Sequence, residues 1–133
     1  MGNYVKLSKV VEKLNLKNLT PDVDMTEKKV MVPDINRPAL QLTGFFEHFA
    51  YERVQLIGCV EYTFLENVEE DEKEKIYDML LSYKIPCIIF CRNLKPDDSL
   101  IEKANKANVP VFSTETPTSA FSAEIIRWLN VEL

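Results

Sequence analysis

Pro86-Cys87-Ile88-Ile89-Phe90-Cys91-Arg92 is the stretch on which the fold turns. Pro86 opens a run of five apolar residues with no alternation, so a strand there must have both faces covered. Working outward, Val54 to Ile57 is a second short apolar run, closed by Gly58, and Val109 to Phe112 is a third. The intervals carry helical patterns. Tyr62 to Leu65 starts a short helix or turn. Glu69 to Tyr83 bears the apolar stripe Ile76, Met79, Leu80 and Tyr83, with Glu69, Glu70, Asp71 and Glu72 near its start, where the macrodipole favours acids. Lys95-Pro96-Asp97-Asp98 opens a helix running to Ala107, with proline in its first turn. Thr116-Pro117-Thr118-Ser119 caps a last helix bearing Phe121, Ile125, Ile126 and Leu129. Short apolar strands alternating with helices imply parallel pairing through crossovers. The expected class is α/β: one three-layer-like domain over residues 1–133, a mostly parallel sheet flanked by helices.

Upstream, Tyr4 and Val5 suggest a short strand, and Leu7, Val10, Val11 and Leu14 follow at helical spacing with Ser8 available as a cap. Asn15 to Thr26 reads as loop, and Lys28 to Val32 as a short strand stopped by Pro33. Pro38 pushes Arg37 into extended backbone. Gly44 permits a turn into Phe45, Phe46 and Phe49, read as one or two helical turns, with Leu40, Leu42, Phe45 and Phe46 supplying core.

Composition narrows the function. With 46% hydrophobic and 28% charged residues, the 133-residue chain is an ordinary globular protein rather than a disordered one. The net charge of −5 is uneven: residues 1–53 hold eight basic against seven acidic side chains, residues 54–133 eight against fourteen. No dense basic face can be built from that, which disfavours nucleic acid. The apolar runs are too short to cross a membrane, and without an apolar or arginine-rich leader a cytoplasmic protein is expected. Three cysteines do not make a disulfide framework. Cys87 and Cys91 share one strand face roughly 13 Å apart at about 3.3 Å per residue, and read as buried small hydrophobes.

Glycines occur only at positions 2, 44 and 58, so no glycine-rich loop followed by lysine can cradle ATP phosphates. His48 sits between phenylalanines without a nucleophile at a recognisable spacing, and the acids from Glu66 to Glu74 suit a solvated helix start; no catalytic or metal residue is assigned. Ligands of open α/β sheets sit at the carboxyl ends of the strands. There Arg92 follows one strand, while Thr114, Thr116, Thr118 and Ser119, with Ser113, lie between the last strand and a helix N-terminus, the ingredients of an anion site. Equally, Thr116 or Thr118 caps the helix and Arg92 is solvated or pairs with a carboxylate. Asn36 and Arg37 form a second polar cluster, or serve the turn at Pro38.

Ile35-Asn36-Arg37-Pro38-Ala39-Leu40-Gln41-Leu42-Thr43-Gly44-Phe45-Phe46 and Arg53-Val54-Gln55-Leu56-Ile57-Gly58 together resemble the N-terminal domain of bacterial HPr kinase/phosphorylase. Glu61, Pro86-Cys87-Ile88-Ile89 with Arg92, and Val109-Pro110 before a threonine-rich turn extend the resemblance over the chain. Ala39 departs from the family's common glycine and Cys91 from its usual small polar residue. The resemblance implies a cytoplasmic parent enzyme, typically a hexamer. That enzyme phosphorylates a serine of HPr, the phosphocarrier of the sugar phosphotransferase system, and removes the phosphate again, in carbon catabolite repression. It places ATP and Mg2+ in a catalytic C-terminal domain that this chain lacks, so no cofactor is expected here. Expected partners are that domain, HPr through the parent enzyme, and further copies of the chain in a homo-oligomer. It also implies a fold similar to the uridine-nucleotide-binding N-terminal domain of murein precursor ligases. Two roles follow: a non-catalytic accessory or regulatory domain, or a sensor of a phosphorylated metabolite or nucleotide.

Overall fold

The computed structural model describes residues 3–133. Strand β1 (Val5–Lys6) runs into helix α1 (Leu7–Lys13), followed by β2 (Lys17–Asn18), β3 (Lys29–Val30), β4 (Ile35–Asn36) and the single turn α2 (Ala39–Leu42). Then come β5 (Val54–Ile57), α3 (Cys59–Glu66), α4 (Glu70–Leu81), β6 (Ile88–Phe90), α5 (Asp98–Ala107), β7 (Val111–Ser113) and α6 (Thr118–Glu132). Strands β4, β5, β6 and β7 are parallel neighbours in chain order, and β2 closes the far edge antiparallel to β7. A separate ribbon pairs β1 with β3. Among the described residues no helix is long and apolar enough to cross a membrane.

The strand pleat sorts side chains to two cores. Val54, Leu56, Cys87, Ile89, Cys91 and Phe112 face α1 and α6, meeting Leu7, Val10, Phe121, Ile125 and Leu129. Ile57, Ile88, Phe90 and Val111 face α2 to α5, meeting Leu42, Leu65, Ile76, Leu80, Leu100 and Ala104. Helices therefore cover both sides of a mostly parallel sheet, as the apolar run around Ile88 requires.

Several local expectations are corrected. Ser8 lies inside α1, whose N-cap is Lys6. The segment expected to be loop contains β2, short and on the edge, where pairing rather than apolar patterning makes the strand. Ile35 and Asn36, too few to show a period, extend the sheet as β4. The helix of the aromatic region lies before Gly44, not after it: α2 ends and Gly44 takes φ +97°, its N–H donating to the Gln41 carbonyl. Leu40 and Phe45 are exposed, so only Leu42 of that stretch is fully core, with Phe46 half-buried. Met79 is also exposed, and Tyr77 and Leu81 take the buried places on α4. Pro96 precedes the N-cap Asp97 of α5 instead of entering its first turn.

Candidate functional site

The carboxyl ends of β5, β6 and β7 open onto one edge of the sheet, where Gly58, Cys91 and the Thr114–Thr118 loop follow their strands. Arg37, just beyond β4, reaches across this edge. Its Nε and Nη2 both donate to Oε1 of Glu61, at 3.0 and 2.8 Å. The same oxygen accepts the Gly58 N–H at 2.7 Å. Glu61 is thus both the partner of Arg37 and the acceptor that satisfies the first amide before α3. It is 3% exposed, whereas the Arg37 side chain is 38% exposed. Charge on Glu61 is tolerated at this depth because three donors converge on it.

Gly58 marks the closest approach in this edge. A Cβ placed there would lie 2.5 Å from Thr118 Oγ1 and 2.8 Å from Arg37 Nη2. The first residue of α6 and the guanidinium therefore converge over bare backbone. Thr118 is buried, and among the described residues its hydroxyl makes no well-formed hydrogen bond. Cys91 is its near neighbour. Burial pushes its thiol up to about 11; the Thr118 hydroxyl and Arg37 oppose that rise and the Glu61 charge adds to it.

The other sequence-derived candidates separate into two groups. Arg92 and Asn93 both take positive φ; their N–H groups donate to the carbonyls of Thr116 (3.1 Å) and Thr114 (2.9 Å), lacing the loop after β6 to the loop after β7. Thr114 Oγ1, buried, accepts the Thr116 N–H and meets the Thr116 hydroxyl, both at 3.3 Å. The Arg92 and Ser119 side chains are exposed. Asn36 points beneath α2 instead: its amide donates to Gln55 Oε1 at 2.7 Å and Gln41 Oε1 at 3.4 Å. Gln55 in turn donates to the carbonyls of Ala50 and Arg53. Neither Thr116 nor Thr118 caps α6, whose N-cap is Pro117 and which has no side-chain cap. Of the predicted set, the structure links Arg92 and Thr114 to Thr116, and separately brings Arg37 and Thr118 to Gly58.

Gly58 and Glu61 are the members of this edge that the sequence does not single out as site residues. A signal for them exists in Gly58-Cys59-Val60-Glu61, an acid at the third helical position after a strand-ending glycine, which is half of a capping box. Among the described residues no three His, Cys, Asp or Glu side chains group as a metal would require.

Comparison with known proteins fixes the family. The family model described as "HPr Serine kinase N terminus" matches residues 5–129. The chain belongs to that family. HPr kinase/phosphorylase of Lachnoclostridium phytofermentans is 50% identical over 129 residues, 97% of this chain and 42% of the relative. The Caldicellulosiruptor bescii protein of the same name is 35% identical, over 98% of this chain and 42% of its own length. The chain thus spans well under half of the relatives it matches, and the family's description places that part at their N terminus. In structure it is similar to the regulatory region of Clostridium perfringens pyrophosphatase, containing CBS and DRTGG domains and solved with the activator diadenosine tetraphosphate. The TM-score is 0.62 at 17% identity, over 91% of this chain and 46% of that one, a likeness of fold alone. In this HPr serine kinase N-terminal chain, the motif residues Asn36 and Arg37 tie the end of β4 to α2, β5 and α3.

Proposed function

We propose that this chain is a non-catalytic accessory and regulatory domain of an HPr kinase/phosphorylase, whose catalytic domain, with ATP and Mg2+, lies elsewhere in the parent protein. The observation that carries this reading is the commitment of the motif's polar side chains to the fold. Arg37 closes on Glu61, and Asn36, Gln41 and Gln55 close on one another and on backbone. A kinase site instead keeps cations and backbone amides turned toward a nucleotide. The parent's action on a serine of HPr, its cytoplasmic location and its oligomeric assembly belong to the same proposal. Incubating the purified 133-residue chain with HPr, ATP and Mg2+ tests it: no phosphoserine is expected, and stoichiometric phosphorylation would overturn the reading.

A further inference from the structure

A polar cleft lies beyond the carboxyl end of β7, and its charged lining is not used by the fold. It holds about 530 Å³ between the turn from α1 to β2 and the loops that follow β6 and β7. Open α/β sheets take their ligands at this edge, and the volume lies within the roughly 300–1,000 Å³ of small-molecule clefts. Lys13 and Lys17 come from the end of α1 and from β2, Glu115 and Glu124 from the loop after β7 and from α6. Among the described residues none of these four side chains forms an ion pair. Ser113 lines the same cleft. It is only 7% exposed, yet its hydroxyl makes no hydrogen bond among the described residues, and proteins seldom leave a buried hydroxyl without a use. Asn15 and Asn93 add two side-chain amides that are likewise unbonded among the described residues.

We propose that this cleft binds a free α-amino acid with a neutral polar side chain. The lining carries two cations and two carboxylates, so a matching ligand answers both signs. A phosphate dianion meets the glutamates as well as the lysines, and a neutral sugar leaves all four charges unanswered. A zwitterion instead offers its carboxylate to Lys13 and Lys17 and its ammonium to Glu115 and Glu124, through charge-assisted bonds. The Ser113 hydroxyl and the Asn15 and Asn93 amides both donate and accept, which suits a hydroxyl or amide side chain. Lys17 pairs with Ser113 across β2 and β7, and the Asn93 N–H donates to the Thr114 carbonyl at 2.9 Å. A ligand on Ser113 therefore touches the edge strand and both loops at once. The inference rests on the accessory-domain reading in giving that domain a small-molecule input; its test is independent of the HPr assay, so either can fail alone.

L-glutamine, L-asparagine and L-serine, titrated separately into the 15N-labelled chain at fixed pH and ionic strength, test the site. With at least one of them the backbone amides of Asn15, Lys17, Asn93, Ser113 and Thr114 should shift together and saturate at millimolar concentration. The N-acetyl derivative of that amino acid lacks the ammonium and its carboxamide lacks the carboxylate, so each should bind about tenfold more weakly or worse. Ser113→Ala removes a hydroxyl that has no partner in the fold, so its melting temperature should hold while affinity falls about threefold or more. Lys17→Gln and Glu124→Gln should each weaken binding as well. No saturation with any of the three amino acids, derivatives that bind as tightly as the parent, a Ser113→Ala chain that titrates like wild type, or inorganic phosphate saturating the same amides as tightly would each overturn the proposal.

Discussion

The two faces of the sheet solve burial differently. On the α1/α6 face the strands present Val54, Leu56, Cys87, Ile89, Cys91 and Phe112, a lining that asks for no hydrogen bonds. The α2–α5 face has polar residues set into it. Gln55 is fully buried beside Ile57; it accepts from the Asn36 amide, which also donates to Gln41, and its own amide donates to the Ala50 and Arg53 carbonyls. Farther along, Lys73 and Tyr77 of α4 reach Asp97 at the start of α5, at 3.3 and 2.6 Å. Apolar packing supplies stability without direction, whereas a buried amide network is costly unless every member is satisfied. The polar face therefore fixes where the connections from β4 to α5 lie, and the dry face supplies adhesion.

The dry face has one liability, and it gives the largest expected effect. Burial pushes the Cys87 thiol far above its ordinary value of 9.0 and Cys91 up to about 11. Below about pH 9 both states keep these protons and nothing is lost. Above it the unfolded thiols ionise while the folded ones do not, so stability falls as pH rises, until the folded thiols ionise in turn. Each thiol removes up to about 1.4 kcal/mol per pH unit, a few kcal/mol together by about pH 11. Urea midpoints at about pH 8, 9 and 10 should show the decline, and Cys87→Ala/Cys91→Ala should flatten it despite a lower starting stability. An equal slope in the double variant would show that burial of the thiols is not what governs the alkaline loss.

The polar face is tested next by Gln55→Leu. The substitution is similar in volume but leaves the Asn36 amide with only its 3.4 Å bond to Gln41 and strands the carbonyls of Ala50 and Arg53, for a loss of about 3 kcal/mol. Ile89→Leu on the dry face should cost less than about 1.5 kcal/mol. Equal losses in chemical denaturation would erase the distinction between the faces.

The sequence exposes the dry face more fully than the polar one. Cys87 to Cys91 announces a strand covered on both sides, because an unbroken apolar run has few other uses. Glu69 to Glu72 announces the start of α4 through the helix dipole. By contrast β2 and β4 are two residues each, and their existence depends on neighbours far along the chain. Leu40 and Phe45 look like core by type alone, but Leu40 on α2 and Phe45 just past Gly44 both face outward. At the candidate site the residue types around Thr114 to Ser119 are legible, whereas the meeting of Arg37 with Thr118 over Gly58 depends on side chains brought together from β4, β5 and α6.

That meeting has its own mutational signature. Gly58→Ala pushes a methyl group into the Thr118 hydroxyl and the Arg37 guanidinium, and overpacking of this kind costs about 2 kcal/mol. Combining Gly58→Ala with Thr118→Ser relieves contact only with the Thr118 methyl, which would lie 3.1 Å away; the oxygen at 2.5 Å remains. Rescue by Thr118→Ser should therefore be small in thermal denaturation, and full rescue would show that the hydroxyl is not the group in the way.

The smallest expected effect comes from Tyr77→Phe, and it reverses sign with pH. The Tyr77 hydroxyl donates to Asp97 Oδ2 at 2.6 Å, but Asp97 keeps Lys73 and water, its side chain being 46% exposed. Removing one donor from a wet carboxylate should cost only about 1 kcal/mol near neutral pH. Burial, then the bond to Asp97 and the charges of Asp97, Glu74 and Glu70, raise the Tyr77 phenol well above its ordinary 10.0. Above about pH 10 the unfolded tyrosine ionises and the folded one resists, so the wild type loses about 1.4 kcal/mol per pH unit that the phenylalanine variant does not. Burial pushes the Lys73 ammonium down, but its bonds to Asp97 and Glu70 outweigh that and raise it, adding an alkaline loss shared by both proteins. Stability curves of the two should cross within about one pH unit above 10. Parallel curves would mean that the phenol ionises as freely in the fold as outside it, and that the strut between α4 and α5 is wetter than its geometry implies.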